Sequence, residues 1–293
     1  AYNTTNDLEK IFGSHRIFDS PNSESGQTAL ASGAANAGLR PILLHHRVDF
    51  MAYTFDQLVN WISLWSFKSA GMSSMPLVIR AIIGRGWGQG PQHSQSLEAI
   101  FGHIPGLIVV TPSTAADAKG MLISSIKNKN PVIFFEHRWL HENYGNVQKK
   151  YYETSLYKAK LLKIGNHVSI ISNSFMAIES LKASKILKKY SINCEVLDLR
   201  VLRPLDKKSI IKTAKKNKKV LIVDNGLSTF GISSEVISTI IDENTLKNTK
   251  LKRIGNLDAP IPSTRSLAKY SYPSYISISI EIFKLLNKKP PKE

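Results

Sequence analysis

Two side chains beside glycine-rich stretches carry the chemistry most readily read from this chain. Glu24 stands in Asp-Ser-Pro-Asn-Ser-Glu-Ser-Gly (Asp19 to Gly26), at the start of a segment rich in Gly and Ala. His93 follows the run Gly-Arg-Gly-Trp-Gly-Gln-Gly that begins at Gly84. A carboxyl at a helix start is either a first-turn acid favoured by the helix dipole or a general acid/base facing a ligand. His93, with Gln92 before it and Gln95 after, is either a solvated capping residue or part of a site. A lone carboxylate and a lone imidazole make half of an active site.

Three further groups surround them in sequence. His45, His46 and Arg47 form a polar cluster at the end of a predicted strand, where α/β proteins place ligand contacts. The alternating glycines at 84, 86, 88 and 90 depart from G-x-G-x-x-G and lack the Gly-Lys-Ser/Thr of a phosphate loop. They imply a backbone that folds close to something, or a mobile cover. His137 and His141 flank Arg138 without a third ligand at suitable spacing, which disfavours a metal pair. The absence of G-x-S-x-G and H-E-x-x-H leaves nucleophilic hydrolases and zinc proteases without support.

The totals set the frame for these groups. At 293 residues the chain is long enough for two domains. Its 42% apolar and 21% charged content are those of a globular protein. No apolar run reaches the roughly 20 residues that span a bilayer. The single cysteine, Cys194, permits no internal disulfide and suits a reducing compartment. The expected localisation is cytoplasmic, or the mitochondrial matrix in a eukaryote. The balance of 39 basic against 22 acidic residues gives +17, largely from lysines in the second half. No zinc-finger spacing or basic zipper accompanies that charge, so solvated helix faces are favoured over a nucleic-acid surface.

Strands and helices alternate along the chain. Helices are predicted over 25–37, 55–70, 94–101 and 114–126, with strands at 41–44, 76–83, 107–110 and 131–135. Leu58, Trp61, Ile62 and Trp65 give the second helix one apolar face. Residues 138–164 are polar and rich in Tyr, Asn and Lys and read as a linker. Strands near 168–172, 194–199, 220–223 and 251–254 then alternate with helices at 176–189, 207–216, 233–241 and 274–286. Such alternation predicts an α/β fold of two domains with largely parallel sheets flanked by helices, over 1–137 and 165–293.

Several ordered segments together resemble a known family. They are Asp-Ser-Pro-Asn-Ser-Glu, Gly-Ala-Ala-Asn-Ala-Gly-Leu-Arg-Pro, Asp56-Gln57, Gln-His-Ser-Gln-Ser, Gly-His-Ile-Pro-Gly-Leu and Thr-Pro-Ser-Thr-Ala-Ala-Asp-Ala-Lys-Gly. Asn-Pro-Val-Ile-Phe-Phe-Glu and Leu-Asp-Leu-Arg-Val-Leu-Arg-Pro-Leu-Asp complete the set. The chain resembles the β subunit of the thiamine-diphosphate-dependent first component of 2-oxo acid dehydrogenases, within the transketolase superfamily. That resemblance implies a pyrimidine-binding domain followed by a transketolase C-terminal domain. It implies that Glu24 hydrogen-bonds N1′ of the cofactor's aminopyrimidine, with proton exchange there activating the C2 carbon. Phe50 matches the ring packed beside the aminopyrimidine, and His46 is expected near the cofactor. His93 matches the histidine that meets substrate, and His45, Arg47 and Arg85 are expected substrate contacts. Ser125, Ile126, Asn128 and Asn130 lie where some members bind potassium, mainly through carbonyls; Asn128 replaces an acid common there.

The superfamily's diphosphate and Mg²⁺ motif, Gly-Asp-Gly followed by Asn-Asn, is missing. The resemblance therefore implies a separate α-type chain holding Mg²⁺, an α₂β₂ assembly and a lipoyl acyltransferase as further partner. The family's usual N-terminal helix and first strand do not precede Ala1, which truncation or disorder would explain. Two other departures bear on substrate. Leu-His-His-Arg-Val-Asp-Phe stands where pyruvate-type subunits are more apolar, and Arg85 is added to the glycine loop. A wetter, more basic pocket suits hydroxylated or phosphate-bearing substrates. Oxidative decarboxylation of a 2-oxo acid thus has a rival in a split transketolase moving ketol units between sugars. A non-catalytic basic binding protein is the rival from another class, and the presence of Glu24 and His93 argues against it.

Overall fold

Near-continuous apolar runs form the central strands, because a parallel strand covered on both faces exposes neither to water. In the computed structural model, which describes residues 4–243 and 248–291, they build two five-stranded sheets. The first has the order β1 (Ile42–His45), β2 (Val78–Ile83), β4 (Val132–His137), β3 (Ile108–Val110) and β8 (Val201–Arg203). Its strands are parallel except β8, which runs antiparallel to β3. The second has the order β10 (Lys250–Asn256), β9 (Lys219–Leu227), β6 (Val168–Ser172), β7 (Cys194–Asp198) and β5 (Lys160–Lys163). Only β5 is antiparallel there.

Helices follow the crossovers. They are α1 (Leu8–Phe12), α2 (Glu24–Asn36), α3 (Trp65–Lys68), α4 (Glu98–His103), α5 (Ala115–Lys127), α6 (Ser174–Lys188), α7 (Lys207–Asn217), α8 (Ile232–Ile241), α9 (Arg265–Ala268) and α10 (Tyr275–Leu285). Thr114 caps α5, its Oγ1 accepting from the Asp117 amide at 3.1 Å, as the spacing predicts. Cys194 is buried in β7, and burial pushes its thiol up to about 12, so it packs rather than reacts. No described helix is long and apolar enough to cross a membrane.

Three expectations are corrected. The end of the expected 138–164 linker is strand β5, and β8 from the second half completes the first sheet. Three- and four-residue edge strands are too short to show a period. The helix expected over 55–70 is interrupted, because the Ser63 amide bonds five residues back to Leu58 at 3.1 Å, a widened turn. Gly106 packs there, where an added Cβ would lie 2.0 Å from the Ser63 carbonyl oxygen. The helix expected from 94 begins instead at Glu98, which leaves His93 in a single 3-10 turn, Pro91–His93.

The two sheets meet through packed rings and buried polar side chains. His137 stacks on Phe175 with ring centroids 5.0 Å apart, and Trp139 meets Tyr272 edge-on at 5.2 Å. The Asn225 amide donates to Glu98 Oε1 at 2.8 Å. Arg200 pairs with Asp117 at 2.6 Å beneath α5. Burial pushes Glu98 up to about 7, with Asp224 adding to the rise against hydrogen bonds from its own backbone and Asn225. The folded chain thus keeps this proton to a higher pH than the unfolded chain, whose glutamate titrates near 4.5. Folding stability is lost as pH rises between those values. Glu98→Gln keeps the acceptor for Asn225 and cannot ionise. Its melting-temperature advantage over wild type should grow from near zero at pH 4.5 to a plateau above pH 7, worth at most about 3 kcal/mol. A difference that stays flat across this range would refute the assignment.

Candidate active site

Glu24 begins α2 and is half-buried. The helix turns back into β1 through Gly38, whose φ of 94° favours glycine. Its N-terminus therefore lies at the carboxyl edge of the first sheet, where the loops after β1 and β2 also emerge. Thr28 is one turn beyond Glu24 on the same helix face. Its hydroxyl lies 3.0 Å from Nε2 of His45, and both residues are buried. Burial holds His45 down to about 4, against the pull of the Glu24 charge, so the imidazole is neutral at pH 7. His45, expected at substrate, is 3% exposed and packs against α2 through Thr28. His46, the next residue, is exposed.

Phe50 and His93 come together. Their rings meet edge-on at 5.3 Å and 79°, and both are half-buried. Arg47 and Arg85, expected at substrate, are buried and bonded within the chain. Arg47 Nε donates to Asp49 Oδ2 at 3.2 Å, Nη1 to Gln89 Oε1 at 3.3 Å, and Nη2 to the Gly84 carbonyl. Arg85 is 9% exposed and donates to the Ser263 carbonyl at 3.0 Å, tying the glycine loop to the second domain. A strand end and the glycine loop placed these arginines near a ligand; in the fold backbone carbonyls and Asp49 are their partners.

The glycine loop is a close-packed segment. At Gly84, with φ 79°, an added Cβ would stand 2.3 Å from His137 Nε2. At Gly88 and Gly90 it would approach the Ser263 carbonyl oxygen at 3.2 Å and the Ser263 Oγ at 2.8 Å. His137 is fully enclosed, and burial, with help from the charges of Arg47 and His141, lowers it to about 3. Its Nδ1 accepts from the Trp139 amide at 3.2 Å, so the neutral ring carries its proton on Nε2. Sequence reading missed Asp49, Gln95 and Tyr272. The Asp49 carboxylate accepts from the Gln95 amide at 3.2 Å, and the Tyr272 hydroxyl donates to the Ser94 carbonyl at 3.3 Å. An acid two residues from Arg47 was a visible signal; Tyr272, far along the chain, gave none.

Among the described residues no three His, Cys, Asp or Glu side chains converge as metal ligands. The residue types at this edge, a carboxyl on α2 and the Phe50–His93 ring pair, are those that the aminopyrimidine end of thiamine diphosphate would need. The potassium expectation does not fit. The carbonyls of Ile126 and Asn128 accept from Arg40 Nη1 at 2.8 and 2.9 Å. Asn128 Oδ1 accepts from the Asn130 amide at 2.8 Å, and the Ser125 hydroxyl donates to the Met121 carbonyl at 2.7 Å. Arg40 takes up two of the carbonyls that the expectation gives to the ion, and a second cation beside a guanidinium is repelled.

Known proteins resemble this chain throughout. The family described as Transketolase, pyrimidine binding domain, matches residues 1–142, and that described as Transketolase, C-terminal domain, matches residues 157–278. The pyruvate dehydrogenase E1 component subunit beta of Rickettsia felis is 34% identical over 275 residues, covering 94% of this chain and 84% of that protein. Its mitochondrial counterpart from Bos taurus is 34% identical over 293 residues, covering 98% and 82%. Among solved structures, one described as split gene transketolase, inactive beta4 tetramer, has a TM-score of 0.80 at 20% identity, covering 99% of this chain and 90% of that one. At that identity the likeness concerns the fold.

The arginine in the cation position generates a prediction. The melting temperature of the wild-type chain should be the same in potassium and choline chloride at equal ionic strength. Arg40→Ala, which frees both carbonyls, should cost roughly 1 kcal/mol, about 2–4 °C for a protein of this size. A potassium-specific rise in the wild type would show that the ion binds there after all.

Proposed function

This chain belongs to the β subunits of the thiamine-diphosphate-dependent first component of 2-oxo acid dehydrogenases, and from that premise we propose that Glu24, Phe50 and His93 are its working residues. The enzyme of which it is one chain cleaves a C–C bond next to a carbonyl, and oxidative decarboxylation of a 2-oxo acid, pyruvate foremost, is the reading supported best. Its carrying observation is that the half-buried Glu24 at a helix end and the Phe50–His93 ring pair occupy one sheet edge.

Thiamine diphosphate, when bound, supplies a nucleophilic carbon and an electron sink for the bond that breaks. Glu24 holds and exchanges a proton at N1′ of the aminopyrimidine. The neutral His45 behind it adds no competing charge. Phe50 packs beside the aminopyrimidine and keeps water from it. His93 faces the substrate oxygen as proton donor or acceptor. His46, exposed at the same edge, borders the cofactor.

Diphosphate and Mg²⁺ are assigned to an α-type partner chain, because the sequence has no Gly-Asp-Gly. An exposed apolar band around the small-residue face of α2, with Leu30, Trp61, Phe67 and Met72, suits burial by other chains in an α₂β₂ assembly. An oxidative route hands its acyl group to a lipoyl-bearing acyltransferase. Its compartment is the cytoplasm, or the matrix in a eukaryote. The ketol-transfer rival drew on a basic pocket, and the burial of Arg47 and Arg85 removes that support.

The test uses this chain assembled with its α-type partner. Glu24→Gln should slow deuterium exchange of the cofactor's C2 proton by roughly 10²-fold or more, with circular dichroism and assembly unchanged. Exchange at the wild-type rate would overturn the role of Glu24. Acyl transfer from pyruvate to a lipoyl domain supports the oxidative reading, and ketol transfer to an aldehyde acceptor replaces it.

A further inference from the structure

Asp49 and Arg47 form an ion pair with side chains only 3% and 5% exposed. Burying two charges costs desolvation, and well-packed apolar side chains would often be as stable. What the pair contributes beyond stability is visible in its remaining hydrogen bonds. The loop from Gly84 to Gln95 is closed at its base by the Gly84 amide, which donates to the Gln95 carbonyl at 3.0 Å. Arg47 grips one side of that base through the Gly84 carbonyl, and Asp49 grips the other through the Gln95 amide. Gln89, midway along the loop, accepts a third contact from Arg47 at 3.3 Å. Phe50 is the residue after Asp49, and His93 lies two residues before Gln95. The ring pair at 5.3 Å is therefore fixed by the same two side chains that close the loop.

We infer that Asp49 and Arg47 are positioning residues: together they clamp the His93 loop to the Phe50 segment and set the place of the imidazole at the substrate. This deepens the reading of His93 given above and rests on it. Neither side chain touches the reacting atoms, so each acts through the loop. Misplacing a catalytic group by about 1 Å is enough to slow turnover by roughly 10²-fold. Proton exchange at the cofactor depends on Glu24, which sits on α2 outside the clamp, and is untouched by it.

The experiment compares Asp49→Ala, Asp49→Asn and the double variant Arg47→Met/Asp49→Leu in the assembled enzyme. Hydrogen exchange of the Gln95 amide is read first, without cofactor. Asp49→Ala should lose about tenfold or more of that amide's protection, and Asp49→Asn, which keeps an acceptor oxygen, should retain it. With the 2-oxo acid of the preceding test, Asp49→Ala should lower kcat by about 10-fold or more while KM and C2 exchange stay within about threefold, and Asp49→Asn should restore most of the rate. The double variant removes both charges, so its melting temperature should recover while kcat remains low. A purely structural role would let rate recover with stability; that result, or a parallel fall of C2 exchange and kcat, would overturn the clamp. The two readings fail separately: unchanged exchange in Glu24→Gln sinks the cofactor site, whereas unchanged Gln95 protection in Asp49→Ala sinks only the clamp.

Discussion

A right-handed crossover returns each parallel strand to the same direction, and every loop that follows a strand therefore emerges on one edge of the sheet. Everything proposed for this chain depends on that constraint. Helix α2 precedes β1 and runs against it, so Glu24 begins at the edge where β1 ends. The segment after β1 brings Phe50, and the loop after β2 brings His93. Three groups spread over seventy positions of sequence are directed to one sheet edge because the strands between them are parallel. The second domain then seals the neighbouring loop: Ser263 takes Arg85, Phe175 stacks on His137, and Tyr272 holds the Ser94 carbonyl.

The site is chemically quiet away from its working edge. His45 and His137 are both held neutral by burial at ordinary pH. Arg47 is balanced by Asp49, and Arg85 is capped by a backbone carbonyl. Arg40 closes the carbonyl ring at the end of α5. A strongly basic chain has thus turned several of its cations into internal fasteners, and the open part of the site is less positive than the composition suggests.

Much of the fold was legible because its central strands are long apolar runs and its helices are capped or periodic. The predicted strand at 168–172 matches β6, and the helix at 207–216 falls one residue short of α7. What was lost has physical causes. Strands β5 and β8 are short antiparallel edges whose partners lie far away in sequence. The widened turn at Ser63 depends on Gly106, some forty residues on, and no local pattern announces it. Glu24, Phe50 and His93 were nameable from resemblance, but the meeting of the Phe50 and His93 rings is a property of topology. Arg47 and Arg85 were placed by their positions at a strand end and in the glycine loop, which do not say which carbonyls will face them. Asp49 was overlooked between more conspicuous neighbours, although its carboxylate holds both the arginine and the Gln95 amide.

The central claim is that the carboxyl at the start of α2 touches a coenzyme ring whose diphosphate another chain holds. A crystal structure of the assembled α/β enzyme with thiamine diphosphate tests it most directly. The account predicts a Glu24 carboxyl oxygen about 3 Å from N1′ of the aminopyrimidine, with Phe50 against the ring and His93 at the open face. An aminopyrimidine seated away from α2, with Glu24 turned to solvent, would contradict it.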